Sequence, residues 1–342
     1  MRIAVIIPSR DRLESLSRCL DSIARAIEVA KQHGAMAHAI STIVVDDHSQ
    51  DEFTPTLARR FPGLEIVKVV GAGPGAARNT GLRHIEADLY LLTDSDCVVA
   101  EDWCLRAIEW HAGRRAPMGQ GVPWLYQCTQ NRRLGSHEET LYRHMFSHYI
   151  DSGRTRMIDP RCLMLSGEYF DTRSRSVFAA SIPDASAEDR SVIGTLIAQG
   201  LQIDWCPDIR VFHEDPIDEQ VLWRQKYRHG SGRLYVWPRT PELQFLIERY
   251  FVSPLSVGMD PDYVVPAHLA FLLGYRDSCR RHASDTRSEW WDDFLDRLDA
   301  SVATARRWMV PVQQALKSSD LIAAREPQLA RAAGGSREAS TP

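Results

Sequence analysis

The sequence has little that would tie it to a disulfide framework or to nucleic acid. Its seven cysteines are odd in number and widely spaced, and no C-x-x-C pair suggests a zinc or redox centre. Reduced thiols, as in a cytoplasm, are the simplest account. The 41 Lys and Arg residues are scattered and are balanced by 45 Asp and Glu residues, so a general electrostatic footprint for nucleic acid is lacking.

Long hydrophobic runs are also scarce. The apolar run at residues 3–7 is too short for a signal peptide and meets charge at once. The run at residues 264–273 is interrupted by Pro266 and His268, and it is well short of the roughly 20 residues that span a bilayer. We therefore expect no transmembrane segment and a cytoplasmic protein, with peripheral contact at the inner face of the membrane left open.

Short apolar runs alternate with helical patterns in the first hundred residues. The runs predicted as strands are 3–7, 42–45, 64–70 and 89–93, and helical spacing of apolar residues lies between them. Continuous aliphatic runs of this kind are typical of strands buried on both faces. The alternation predicts an α/β fold in which helices flank a mostly parallel sheet.

A polar cluster follows each predicted strand. The clusters are Pro8-Ser9-Arg10-Asp11, Asp46-Asp47-His48-Ser49, the glycine-rich loop at 71–75 and Asp94-Ser95-Asp96. Ligands of parallel sheets bind beyond the carboxyl ends of the strands, so we expect these clusters to form one site. Burying an unpaired carboxylate is costly, and the D-S-D segment is therefore interpreted as facing water, a cation or a ligand. A solvated turn is the alternative for that segment.

The order of the motifs resembles that of the family-2 glycosyltransferases. The segments that carry the resemblance are P-S-R at 8–10, V-V-D-D-H-S at 44–49, G-P-G-A-A-R-N-T-G at 73–81, D-S-D at 94–96, the pair Glu188-Asp189 and the later His213. The resemblance covers about residues 1–233. It implies the GT-A fold, a Rossmann-like and mostly parallel sheet flanked by helices, here with a helical C-terminal extension. It also implies transfer of a sugar from a nucleotide-diphosphate donor, a UDP-sugar, to an acceptor.

The resemblance also implies roles for individual residues. Asp96, aided by Asp94, and His213 would hold Mn2+ or Mg2+, a cation that neutralises the charge growing on a diphosphate leaving group. Asp94 would also face the ribose. Asp189 would take the acceptor proton in an inverting displacement, with Glu188 beside it. Asp46 and Arg78 would contact the nucleotide base, and the same nucleotide pocket would be lined by Pro8, Ser9, Arg10 and Ser95.

Two departures from the family pattern leave the acceptor open. His48 stands where the family commonly has glycine, and M-L-S-G-E-Y-F-D-T-R-S-R at 164–175 replaces a segment similar to G-G-F-D-E. The acceptor could be a glycan, a lipid, a natural product or a peptide.

The chain is expected to divide at three places. Residues 1–233 would form the GT-A domain, with a nucleotide-binding half at 1–115 and an acceptor half at 116–233. Residues 234–317 would form a helical region, since an amphipathic pattern at 287–316 predicts a helix packed on the body. Residues 318–342 have few large apolar side chains and are predicted to be a flexible tail. The C-terminal helices would be the surface for a homo-oligomer.

Two other interpretations compete with a glycosyltransferase. Residues 71–76 satisfy the dinucleotide pattern G-x-G-x-x-A, with Asp94 about 20 residues further on, which would suit an NAD-dependent oxidoreductase. Against it, the loop follows the third strand, and Pro74 lacks an N–H for phosphate. The other alternative is a non-catalytic scaffold that keeps the fold and binds a partner through its C-terminal helices.

Overall fold

The computed structural model describes residues 1–34, 38–127, 131–168, 177–178, 202–214, 218–232, 252–282 and 289–317. The strands are β1 Arg2–Ser9, β2 Ala39–Asp46, β3 Glu65–Lys68, β4 Leu89–Leu92, β5 Cys97–Val99, β6 Met118–Gln127, β7 Ile150–Asp151, β8 Arg154–Thr155, β9 Leu163–Ser166 and β10 Ile203–Glu214. The helices are α1 Leu13–Gln32, α2 Phe53–Arg60, α3 Pro74–His84, α4 Trp103–Gly113, α5 Arg132–Ser147, α6 Glu219–Gly232, α7 Ser253–Ser256, α8 Pro261–His282, α9 Glu289–Thr304 and α10 Arg306–Lys317. A short 3-10 helix, Pro160–Cys162, precedes β9.

The strands of the described residues form one sheet in the order β3-β2-β1-β4-β9-β6-β10-β8-β7. Strand β5 is not part of this order and pairs with β10. Strands β1 to β4, β6, β7 and β10 run in one direction, whereas β5, β8 and β9 run in the other. The expected mostly parallel sheet with flanking helices and a helical C-terminal region is confirmed.

Strand β1 lies inside the sheet, between β2 and β4, and its side chains alternate between two cores. Ile3, Val5 and Ile7 pack into the core that includes the apolar face of α1. Ala4 and Ile6 pack into the core on the other face, which includes residues of α3. The uninterrupted aliphatic run is therefore the pattern of a strand covered by helices on both faces.

Proline 8 lies inside β1, whereas the sequence predicted that the strand closes there. Pro8 pairs with Val45 of β2, but the pairing of β1 with β4 extends only to Ile6. Thr93 N donates to the Ile6 carbonyl, so the even-numbered residues of β1 face β4. The missing N–H of Pro8 points beyond the end of β4, where it removes no ladder hydrogen bond.

Helix α3 approaches the sheet closely at Gly81. A Cβ at this position would lie 2.5 Å from Ile6 Cγ2 and 3.1 Å from Val45 Cγ2. Glycine therefore brings the glycine-rich loop and the start of α3 down to the carboxyl ends of β1 and β2.

The C-terminal helices share one core with α5 and α6. Apolar residues of α5, α6, α8, α9 and α10 pack together there, and the described part of the amphipathic pattern, residues 289–316, lies in two helices rather than one. Helices α6 and α8 cross at reciprocal glycines: a Cβ at Gly230 would lie 1.9 Å from Phe271 O, and one at Gly274 would lie 2.0 Å from Tyr227 O. Among the described helices, none combines the length and the apolar character that crossing a membrane requires.

Candidate active site

The polar clusters meet at one edge of the sheet, as the parallel topology predicts. The loop after β1 is tied to the loop after β2, because Asp11 N donates to Ser49 Oγ (2.9 Å) and Gln50 N donates to Asp11 Oδ1 (2.7 Å). Gly73 N, at the start of α3, donates to both carboxylate oxygens of Asp47 at 3.1 Å. The carboxyl ends of β1, β2, β3 and β4 thus surround one polar region.

Asp46 is fully buried and is bound by the protein itself. Its carboxylate accepts hydrogen bonds from Ser49 N (2.9 Å), Thr54 Oγ1 (2.8 Å) and Lys68 Nζ. Burial alone would raise the pKa of Asp46, but these hydrogen bonds, led by that of Lys68, lower it below its ordinary value. The carboxylate fixes the turn after β2, and its predicted contact with the nucleotide base stays a prediction.

His48, which stands where the family commonly has glycine, lies in a turn with an unusual backbone conformation. His48 has φ 59°, in the left-handed region that glycine adopts without cost. Its Nδ1 lies 3.2 Å from Asp47 Oδ1. A histidine is thus held in a backbone conformation that suits the glycine common at this position.

Arg78 and Asn79 of α3 connect the D-S-D segment to a distant part of the chain. The buried Arg78 donates through Nη2 to Asp94 Oδ1 at 2.7 Å, and its guanidinium lies 5.6 Å from the Phe178 ring centroid. Asn79 donates to Phe178 O (2.7 Å) and accepts from the backbone N–H groups of Val177 and Phe178 (3.0 and 2.9 Å). These three bonds fix the chain next to the Arg78–Asp94 pair.

Asp96 lies between a guanidinium and an imidazole. Arg12 Nη1 lies 2.7 Å from Asp96 Oδ2, and His213 Nε2 lies 3.4 Å from Asp96 Oδ1. Burial would raise the pKa of Asp96, but its neighbours His213, Arg12 and Arg161 lower it well below the ordinary value. The side chain is only 16% exposed, so it presents an ionised carboxylate at a nearly buried position.

The orientation of His213 is fixed by its other ring nitrogen. His213 Nδ1 lies 2.6 Å from the Glu214 carbonyl oxygen, which can only accept, so Nδ1 carries a proton. In the neutral ring the lone pair is then on Nε2 and faces the carboxylate of Asp96. Two acceptors facing each other call for a proton or a cation between them.

Glu214 is itself held in place on both sides. Its N–H donates to the Asp96 carbonyl at 2.9 Å, and its side chain accepts from Arg18 Nε at 2.7 Å. Strand β10 runs on through His213 to Glu214. His213 therefore lies within a strand, and the sheet fixes its backbone.

Asp96, Cys97 and His213 form a group whose ligand atoms all lie within 4.8 Å of one another. Burial, and then the nearby Asp96 and Asp94, raise the pKa of the Cys97 thiol well above its ordinary value, so it stays protonated. A protonated thiol is a poor metal ligand. The carboxylate and the imidazole are the donors that suit a divalent cation.

The remaining residues predicted for the site lie in different environments. Pro8, Ser9 and Ser95 are buried at the strand ends, whereas Arg10 is exposed and lies 4.0 Å from Asp11. Asp94 contacts Arg78 rather than joining the group of Asp96 and His213. Glu188 and Asp189 lie outside the described residues.

Sequence reasoning missed two cations near Asp96. Arg12, two positions after the predicted Arg10, is the arginine of the first loop that pairs with Asp96. Arg161 is buried and binds Asp159 at two points, Nε–Oδ1 2.9 Å and Nη2–Oδ2 2.6 Å. The P-S-R-D-R run was a signal for Arg12, but nothing near Arg161 in the sequence links it to the site.

Comparison with known proteins finds similarity to glycosyltransferases. Residues 4–172, just under half of the chain, match the model of glycosyl transferase family 2. Glycosyltransferase AglE of Haloferax volcanii is 28% identical over 130 residues, which cover 36% of this chain and 40% of AglE. The chain thus matches less than half the length of that curated relative.

Solved structures of S. aureus TarS 1-349 are distantly similar to this chain. One has a TM-score of 0.45 at 14% identity, and the complex with UDP-GlcNAc has a TM-score of 0.47 at 15% identity. Each comparison covers 93% of this chain and 91% of the TarS chain.

Proposed function

We propose that the protein transfers a sugar from a nucleotide-diphosphate sugar, a UDP-sugar, to an acceptor, with the help of Mn2+ or Mg2+ and with inversion. The observation that carries the proposal is the pair of Asp96 Oδ1 and His213 Nε2 at 3.4 Å, with His213 Nδ1 bonded to a carbonyl. A histidine that ligates a metal commonly donates its other N–H to a carbonyl or a carboxylate. The residues therefore fit a divalent cation.

Asp96 and His213 would hold the cation, which supplies charge neutralisation at a diphosphate leaving group. Asp94 is fixed by Arg78 at 2.7 Å and presents its second oxygen at the same edge of the sheet. We propose that this oxygen faces the ribose. Ser9 supports a nucleotide site beside β1, because its buried Oγ has no partner among the described residues.

We propose that Asp189 accepts the proton of the acceptor nucleophile, with Glu188 beside it. Asn79 fixes residues 177–178 next to the D-S-D segment, eleven positions before Asp189. A general base must reach the attacking group within hydrogen-bond distance, and substitution of Asp189 tests the assignment.

The oxidoreductase alternative is disfavoured by the position of the glycine-rich loop. The loop follows β3, which is the edge strand of the sheet, whereas a dinucleotide fold places its loop after a central strand. Gly73 N–H is also already bonded to Asp47. Binding of NAD without binding of UDP would nonetheless favour that alternative.

The test is a thermal-shift and calorimetry panel of nucleotide sugars, with and without Mn2+. A donor present at a hundred times its Kd should stabilise the protein by about 2.7 kcal/mol. We expect one donor to give a shift that requires metal, and Asp96→Ala to remove it. Asp88→Ala is the matched control, because Asp88 precedes β4 at the opposite edge of the sheet.

Transfer is tested separately. Asp189→Asn should keep metal-dependent donor binding and lose transfer, and NMR of the product should find the anomeric configuration inverted. Full activity of Asp189→Asn would refute the assignment of the base. Donor binding without transfer to any acceptor, in the unchanged protein, would favour the scaffold alternative.

A further inference from the structure

Glu138 of α5 is a buried carboxylate that lies outside the strand-end clusters. It is 1% exposed and accepts from Lys226 Nζ of α6 (2.7 Å), from the hydroxyl of Tyr263 in α8 and, at 3.4 Å, from the hydroxyl of Tyr126 in β6. Burial, and then the charge of Glu138, raise the pKa of both phenols, so both keep their protons and donate. One carboxylate thus connects two C-terminal helices to strand β6.

Tyr126 brings this cluster next to His213. The two residues are direct partners in the pairing of β6 with β10. Their ring centroids lie 5.4 Å apart at an angle of 63°, an edge-to-face contact. Since the backbone fixes the base of both side chains, the position of the Tyr126 ring restricts the rotation of the imidazole.

A second connection runs through Tyr142 of α5. Lys226 Nζ lies 5.3 Å and the Arg161 guanidinium 4.9 Å from the centroid of the Tyr142 ring. Both distances suit cation–π contacts. Arg161 is in turn fixed by two bonds to Asp159, and its charge contributes to the low pKa of Asp96. Lys226 and Arg161 therefore share one aromatic neighbour.

We propose that Glu138 is a positioning residue for the metal site, acting through Tyr126 on the orientation of His213. The proposal rests on the function proposed above. A buried ion pair is costly to break, because the partner left behind is an uncompensated charge. The Glu138–Lys226 pair therefore specifies one arrangement of α5, α6 and β6, and this arrangement directs His213 Nε2 toward Asp96.

The first readout is the Kd for Mn2+ in the presence of saturating UDP, at a temperature where each variant is folded. Loss of a residue that orients a ligand costs about 10- to 100-fold in metal affinity, and we expect a loss in that range for Glu138→Gln. Glu139→Gln is the matched control on the same helix, since Glu139 is partly exposed and pairs along the helix with Arg143. It should bind Mn2+ as the unchanged protein does.

The second readout does not depend on metal. The imidazole resonances of His213, assigned with His213→Gln, lie in the ring-current field of Tyr126. Glu138→Gln should shift them, and Glu139→Gln should not. The double change Glu138→Gln with Lys226→Met removes both charges and should recover most of the Mn2+ affinity, which a direct role of Glu138 in ligand binding would not allow.

Three outcomes would overturn the proposal: unchanged Mn2+ affinity of folded Glu138→Gln, unchanged His213 resonances, or no recovery in the double variant. If Glu138→Gln does not fold, Tyr263→Phe removes only the link to α8 and should weaken Mn2+ binding and shift the His213 resonances in the same direction. A protein that binds no Mn2+ with UDP would refute the proposed function instead, and the metal-free resonances would still test the link from Glu138 to His213.

Discussion

Asp46→Asn tests whether the buried carboxylate after β2 serves the fold or the nucleotide. The change keeps the size of the side chain and removes its charge. An asparagine oxygen can still accept from Ser49 N, and Thr54 can rotate its hydroxyl to accept from the amide. What is lost is the ion pair with Lys68 and the charge-assisted part of the other two bonds.

The size of the effect follows from those three bonds. Hydrogen bonds to charged groups contribute about 1.5–3 kcal/mol and neutral ones about 0.5–1.5 kcal/mol, a difference of about 1 kcal/mol per bond. The Lys68 side chain is 65% exposed, so its share is discounted for screening by solvent. Burying a neutral amide also costs less than burying a carboxylate. We expect a net loss of about 2 kcal/mol in the free energy of unfolding.

The effect has a defined pH dependence. The pKa of Asp46 is lower in the folded protein than its ordinary value of about 3.9. Its contribution to stability is therefore fully present above about pH 5 and is lost as the pH falls through 4 toward the folded pKa. The difference in unfolding free energy between the unchanged protein and Asp46→Asn should be constant from pH 5 to 8 and should shrink toward pH 3.

Urea denaturation across this pH range measures the difference directly, and UDP titration of the folded variant measures the nucleotide contact. Lys68→Met is the control, because it removes the exposed partner and should reproduce only part of the loss. Equal stability of Asp46→Asn and the unchanged protein at pH 7 would refute the structural role. A loss of UDP affinity in the folded variant, absent from Lys68→Met, would support the predicted contact with the base.

Two further predictions concern α3. Gly81→Ala should cost about 1–3 kcal/mol in the free energy of unfolding, since its Cβ would overlap Ile6. Gly113→Ala is the control and should cost little, because a Cβ there meets nothing within 4 Å. Equal denaturation midpoints of the two variants would contradict the close approach of α3 to the sheet. Asn79→Ala should remove hydrogen-exchange protection at the Phe178 amide. It should also lower the rate of sugar transfer with little change in UDP affinity. Unchanged protection of the amide would mean that Asn79 does not hold residues 177–178.

The sequence predicted the fold of the first hundred residues well because its signals are local. The aliphatic run at 3–7 and the run at 89–92 lie in buried strands, and the helix after Gly73 begins at Pro74. In a parallel sheet the carboxyl ends of the strands lie at the same edge, independently of the conformation of the loops that follow them. The convergence of the Asp47, Asp94 and Asp96 clusters could therefore be expected before any contact was known.

The choice among neighbouring residues could not be predicted in the same way. Arg12 rather than Arg10 reaches Asp96, in a loop where Asp11 has φ 52°. A left-handed residue redirects the chain, and nothing in the composition of the loop marks it. Cys97 lies beside His213 because β5 pairs with β10 in one register, and register over more than a hundred residues leaves no local pattern.

The link from Glu138 to Tyr263 is harder still. The two residues are 125 positions apart, and each sits in an ordinary helical pattern. An acidic residue on the apolar face of α5 is the one sequence signal for this link. That signal can be interpreted only once the helices that pack against α5 are known. The domain boundary predicted at residue 233 rests on the resemblance alone and stays a prediction.

The crossing of α6 and α8 at Gly230 and Gly274 has a practical consequence for anyone who wishes to shorten the protein. With backbones this close, neither glycine can take a side chain without pushing the helices apart. A chain ended at residue 233 would leave Leu222 and Trp223 of α6 uncovered and Lys226 beside the place vacated by α8. We expect such a fragment to aggregate on expression, so that a shorter protein that folds would have to retain α8.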